Sequence, residues 1–329
     1  MAEILLALED TPHAGRRFVI IKRIRSEHAD DPDFQAFFLS EGRVALQCAH
    51  PNLPQTYELD RIRGVYYLAM ELIRGHTLLE YVRQVAAREG RVSVAAVATV
   101  GIGVAAALEH AHSLCDVDGS PLGVVHRDVS PQNVLIDAAG SVKLIDFGVA
   151  RSTVQAHRTR TGVVKGKFSY LAPEQIQGNA PDPRADIFAL GVVLYECLTA
   201  RPLFRSKSDS QTLKNVCSAP IRDLVSVRDD VPRAIADVIH RAIERDPARR
   251  YATATELLVA LDAAARRAGL HLSPCKLRDE VIASCGEPAR PERYARSARV
   301  EAPQPPERLS AELAARDPEL AHFLRQAGG

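Results

Sequence analysis

The chain has 329 residues, 46% of them hydrophobic and 25% charged, so it can bury a full-sized core and falls outside the disorder-dominated class. A formal net charge of +1 creates no broad electrostatic field, so charge implies neither nucleic-acid nor membrane-surface binding. Six cysteines, at 48, 115, 197, 217, 275 and 285, show no Cys-x-x-Cys or zinc spacing and read as reduced thiols of a cytoplasmic protein. At the N-terminus no charged segment precedes an apolar one, so no secretory signal is expected. Phe18-Val19-Ile20-Ile21-Lys22 is β-branched and predicts a strand ending on a cation. Lys22 is the only lysine before Lys143 in a chain whose default cation is arginine, which suggests that a compact point charge is required there. A helix is expected around Phe38 to Val44, carrying Glu41, and a strand over Tyr66 to Ile73 that runs into Arg74-Gly75. Val92 to Leu108 is uncharged over 17 residues, short for a membrane span and interrupted by Gly101 and Gly103, so it predicts a buried helix. His110 and His112 at its end are two apart and share no helical face, which argues against a metal pair.

The chemistry concentrates between residues 126 and 148. His126-Arg127-Asp128-Val129-Ser130-Pro131-Gln132-Asn133 precedes the strand-like Val134-Leu135-Ile136. A turn at Asp137-Ala138-Ala139-Gly140 leads to Val142-Lys143-Leu144-Ile145 and then Asp146-Phe147-Gly148. Two acids and an amide at the ends of a hairpin suit phosphoryl transfer: one carboxylate accepts a hydroxyl proton, while a carboxylate and an amide oxygen hold Mg²⁺ against nucleotide phosphates.

These motifs resemble those of the protein kinase superfamily, specifically the eukaryotic-like Ser/Thr protein kinases of bacteria, over roughly residues 1 to 265. The resemblance implies an α+β bilobal protein kinase fold: a small antiparallel-sheet N-lobe at 1–75, a mainly helical C-lobe at 76–267, and a tail at 268–329. It implies ATP and Mg²⁺ as cofactors and protein substrates. Asp128 then stands as catalytic base or substrate-orienting acid, Lys22 as the phosphate-positioning residue paired with Glu41, and Asn133 and Asp146 as metal ligands. Met70 becomes the gatekeeper, the Glu71 and Ile73 backbone binds the adenine edge, and Leu135 floors the pocket. Ala172-Pro173-Glu174 matches the family's Ala-Pro-Glu motif, Arg250 the arginine that pairs with its glutamate, and Asp186 the buried acid bracing the catalytic loop. Thr159 and Thr161, in a basic stretch, are candidate phosphorylation sites whose phosphate would pair with Arg127.

Three departures stand out. The family's glycine-rich loop is missing, since the only glycine before Gly42 is Gly15. Met1-Ala2-Glu3-Ile4 resembles the end of that loop, so the N-lobe is expected to lack its first strand, with Ile4 at the valine that caps adenine. Ser130 replaces the lysine expected two residues after the catalytic acid, removing a cation near the transferring phosphoryl group. Lys165 or Lys167 is a candidate substitute, although Gly166-Lys167 stands where the family has Gly-Thr. Finally, Ile20 occupies the place of an alanine that faces adenine.

In the tail, Leu272 to Cys285 predicts a short amphipathic helix started by Ser273-Pro274, Gly286 to Pro306 a flexible linker, and Leu309 to Arg325 a second amphipathic helix suited to docking on a partner or packing on its own chain. Two functions fit the whole: a Ser/Thr kinase, and a pseudokinase or scaffold with impaired nucleotide binding. The retained Lys22, Glu41, Asp128, Asn133 and Asp146 favour the enzyme.

Overall fold

The computed structural model describes residues 2–11, 15–146, 167–180 and 182–290. Strands β1 (Ala2–Thr11) and β2 (Gly15–Ile24) form an antiparallel hairpin in full register, Ile4 opposite Lys22 and Leu6 opposite Ile20. With β3 (Thr56–Ile62) and β4 (Val65–Glu71) they make a four-stranded antiparallel sheet in the order β1-β2-β4-β3. Helix α1 (Pro32–Gln47) packs across it. Asp31 caps the helix, accepting from the amides of Asp33 and Phe34, and Pro32 opens it where a missing N–H is harmless. Its Phe38 joins Ile24 and Leu68 in a small separate core. That contact aligns α1 with β2.

The larger lobe is helical, so the α+β bilobal fold expected from the sequence is the one formed. A short sheet, β5 (Gly75–Thr77), β6 (Val134–Asp137) and β7 (Val142–Leu144), leads into it, with α2 (Leu78–Ala87) following β5. Helix α3 (Val94–His112) contains the apolar run and is capped by Ser93. Among the described residues it is the one helix long and apolar enough to cross a bilayer, and most of it is buried in the protein core. Beyond the short α4 (Pro173–Ile176), α5 (Pro183–Thr199) is buried on nearly every side, and α6 (Asp209–Ser218) and α7 (Leu224–Val227) follow. Helices α8 (Arg233–Ala242) and α9 (Ala254–Arg267) close the core against α3 and α5.

The close fit of α5 rests on Gly191, where an added Cβ would come 2.7 Å from Ile243 and 2.9 Å from Ala242. Gly191→Ala is expected to destabilise by about 1–3 kcal/mol through overpacking, read as a lowered denaturation midpoint at unchanged m-value.

The expected tail helix is present as α10 (Pro274–Cys285), with Ser273 as its cap. It packs Leu277 and Val281 into the core. Tyr81 and Ser93 both donate to Glu280, at 2.9 and 2.8 Å, and Arg88 donates to Ala283 O at 2.7 Å. Gly140, in the β6–β7 turn at φ +86°, lies so close to Pro274 that a Cβ would fall 1.9 Å from its carbonyl oxygen. The Gly286–Pro306 linker, beyond residue 290, and the Leu309–Arg325 helix expected from sequence lie outside the described residues.

Candidate active site

The loop joining α3 to β6 carries the first motif, and α5 holds it from below. Asp186, in the first turn of α5 and 1% exposed, accepts from the backbone amides of His126 (2.7 Å) and Arg127 (2.8 Å) and from His112 Nε2 (2.8 Å). These bonds fix the backbone immediately before Asp128. They also maintain Arg127 at φ +64°, a left-handed conformation that side chains rarely adopt unless their surroundings impose it. Burial holds His126 below its ordinary value despite Asp186, so the ring is neutral and serves as packing.

Asn133 ties this loop to the second motif. Its Nδ2 donates to Asp128 O at 2.8 Å, and its own carbonyl accepts from Ile145 N at 2.8 Å. Asp146 follows directly, also left-handed at φ +59°. Further support comes from Asn52, whose Nδ2 donates to Val142 O at 2.7 Å while its carbonyl accepts from Leu144 N at 2.8 Å.

The N-lobe contributes the cation. Lys22 Nζ donates to Glu41 Oε1 at 2.5 Å and to Asp146 Oδ1, 124 positions away in sequence, at 2.8 Å. Burial pulls the ammonium down, but the Glu41 and Asp146 carboxylates outweigh it and raise Lys22 above its ordinary value. The group is therefore cationic throughout the neutral range. The same burial pushes the Glu41 carboxyl up, opposed by the Lys22 charge.

Register places Ile4, Ile20, Lys22 and Met70 on one face of the sheet, since Ile4 pairs with Lys22 and Ile20 with Met70. Ile4 is 55% exposed there. Leu135 lies on the other sheet, half-buried in β6. Glu71 ends β4, its carboxylate Oε2 accepting from Lys143 Nζ (2.8 Å) and Gln55 N (3.1 Å); Ile73 follows, half-buried.

Not every expected residue has been brought into this site. Thr159 and Thr161 lie outside the described residues, as do Phe147, Gly148 and Lys165. The Nε of Arg127 is buried without a hydrogen-bond partner among the described residues. Ser130, 1% exposed, likewise has a buried hydroxyl with no such partner. Because an unsatisfied buried hydroxyl is unfavourable, Ser130→Ala is expected to leave unfolding free energy unchanged or raise it by about 1 kcal/mol, measured by urea titration.

His112 was passed over in the sequence because a metal pair was the only role weighed for it, whereas its partner is a carboxylate on another helix. Asn52 is equally easy to miss. Its role depends on backbone groups of β7, and an unusual polar residue in the Pro-Asn-Leu turn is the only signal.

Asp146 and Asn133 supply a carboxylate and an amide oxygen, the hard donors that suit Mg²⁺. Together with an ammonium between two carboxylates, this is a site able to hold a polyphosphate and its metal while leaving Asp128 for a proton. The family model described as protein kinase domain matches residues 9–260. The chain belongs to the protein kinase family.

The kinase is 39% identical over 262 residues to the tyrosine-protein kinase MasK of Myxococcus xanthus, covering 80% of this chain and 41% of MasK. It is 33% identical over 241 residues to the serine/threonine-protein kinase PrkC of Bacillus subtilis, covering 73% of this chain and 35% of PrkC. It therefore spans about two fifths or less of the length of these relatives. Among solved structures it resembles the PknI kinase domain of Mycobacterium tuberculosis, with a TM-score of 0.59 and 25% identity, covering 82% of this chain and 92% of that one.

Proposed function

We propose that this kinase is a cytoplasmic Ser/Thr protein kinase that transfers the γ-phosphoryl group of ATP, with Mg²⁺, to hydroxyls of protein substrates. The observation that carries the reading is the closed bridge from Glu41 through Lys22 to Asp146, which joins both lobes at one buried cation. In this reading Lys22 holds the nucleotide phosphates, and Glu41 keeps it aimed at them. Asn133 and Asp146 hold Mg²⁺, whose charge when bound offsets that of the phosphates. The adenine would lie against Ile4, Met70 and Leu135, with backbone groups of Glu71 and Ile73 at its edge. Asp128 accepts the substrate hydroxyl proton. A phosphate on Thr159 or Thr161 would pair with the half-buried Arg127 guanidinium, whose Nε has no hydrogen-bond partner among the described residues. Six cysteines without a disulfide support a reducing compartment.

The names of relatives support both hydroxyl classes, PrkC being a serine/threonine kinase and MasK a tyrosine kinase. A second reading, a pseudokinase or scaffold, draws on Ser130, which brings no cation to the catalytic loop. Incubation with labelled ATP and Mg²⁺, followed by phosphoamino-acid analysis, separates these outcomes. Phosphoserine or phosphothreonine is expected from the wild type, with a rate about 10²- to 10⁴-fold lower in Asp128→Asn. Phosphotyrosine alone would overturn the Ser/Thr assignment, and labelling no greater than that of Asp128→Asn would favour the scaffold.

A further inference from the structure

Away from the nucleotide cleft, three side chains of different chemistry converge where the tail helix meets the strand after β4. His76 lies in β5, Glu80 in the first turn of α2, and Cys285 is the last residue of α10. Their ligating atoms all lie within 4.8 Å of one another. The hydrogen bonds around His76 make this more than proximity. His76 Nε2 lies 3.0 Å from Gly286 O, and because a carbonyl only accepts, Nε2 must carry the hydrogen. In the neutral ring Nδ1 then presents a lone pair, and it points at the Glu80 carboxylate 3.1 Å away. Two acceptors at that distance need a cation between them.

A proton would satisfy His76 and Glu80 but would give the Cys285 thiol no part. A metal ion uses all three. We propose that His76 Nδ1, a Glu80 carboxylate oxygen and Cys285 Sγ form a site for a divalent cation of the zinc class. Nitrogen, oxygen and sulfur donors in one set match the borderline character of Zn²⁺ rather than the oxygen preference of Mg²⁺. Gly286 O acts as the outer partner that a metal-bound histidine usually has, fixing both tautomer and ring orientation. The His76 side chain is 11% exposed and that of Glu80 47%, so the site is walled on one side and open to water on the other. The open side offers an entry path and room for a water as fourth ligand.

Burial and the Glu80 carboxylate push the Cys285 thiol up, so the sulfur is protonated until metal arrives. On binding, the S–H proton passes to solvent and a sulfur–metal bond takes its place. The three ligands belong to three elements, so an ion there would pin the end of α10 to β5, the neighbour of the β6 strand that carries Leu135. Seating of the tail helix against the nucleotide-side sheet thereby becomes metal-dependent.

The test uses the whole chain, stripped with a chelator and kept in excess Mg²⁺ so that any oxygen-ligand site is already filled. One equivalent of Co²⁺ is expected to produce a near-ultraviolet thiolate-to-cobalt absorption, abolished by one equivalent of Zn²⁺. Cys285→Ser should remove the band, whereas Cys115→Ser, at an exposed cysteine, should keep it. His76→Gln should weaken zinc binding at least tenfold in calorimetry, and Zn²⁺ should raise the melting temperature of the wild type but not of Cys285→Ser. Circular dichroism checks that each variant is folded. No band in the wild type, a band persisting in Cys285→Ser, or equal zinc affinity in His76→Gln and wild type would each overturn the site.

Discussion

Replacing Arg250 by alanine is expected to lower unfolding free energy by about 3–5 kcal/mol, among the largest effects any single side chain of this protein should show. The reason is complete use of a buried guanidinium. Nη1 donates to Glu174 Oε1 (2.6 Å) and Arg184 O (3.0 Å), Nη2 to Glu174 Oε2 (2.7 Å) and Arg245 O (3.0 Å), and Nε to Glu244 O (2.6 Å). All five N–H groups are therefore paired. Removing them strands the Glu174 carboxylate, buried beside Pro173 at the start of α4, together with three carbonyls. Arg250→Lys should recover little of the loss, because an ammonium cannot reproduce a bidentate fork. Pairing Arg250→Ala with Glu174→Gln should restore a measurable part by removing the stranded charge. Guanidinium titrations of the three variants check this, and a double variant no more stable than Arg250→Ala would show that the carbonyls dominate.

Lys22→Met is the second large effect, and it acts on activity. Methionine keeps most of the side-chain volume and removes the charge that separates two carboxylates. The rate of phosphoryl transfer is expected to fall about 10²- to 10³-fold, the usual consequence of deleting one preorganised charged donor. Weaker nucleotide binding should accompany it. With Lys22 gone, the Glu41 carboxylate loses the ammonium it is paired with, so α1 should turn outward and Glu41 should become more accessible. Steady-state kinetics gives the first result and hydrogen exchange over α1 the second. Unchanged exchange together with a lost rate would mean that Lys22 acts on the phosphates alone.

Much of this architecture was legible in the residues themselves. β-branched residues marked the strand that carries Lys22, although it runs on to Ile24; a Ser-Pro start marked α10, and the spacing from His126 to Asp146 marked both acids of the site. Arg250 and Asp186 were placed by resemblance. What they bind was not legible, because five of their partners are backbone groups, and a carbonyl or amide leaves no trace in a side-chain pattern. The same limit hid the seat of α10, which depends on Gly286 O, Ala283 O and the close approach of Gly140 to Pro274. His112 shows a different limit. Helical periodicity predicts neighbours on the same helix, whereas its partner Asp186 lies 74 residues away on α5.

The attachment of the catalytic loop to Asp186 has a thermal consequence. α5 is the most enclosed helix of the larger lobe, and segments of that kind usually open only when the whole domain does. The amides of His126 and Arg127 are bonded to it directly, so they should exchange with solvent as slowly as the helix itself, although they sit in a loop. On heating, the loop that presents Asp128 should hold its shape until global melting, while the Lys22 bridge between the lobes, with Asp146 half open to water, gives way first. Heat inactivation would then precede denaturation and reverse on cooling.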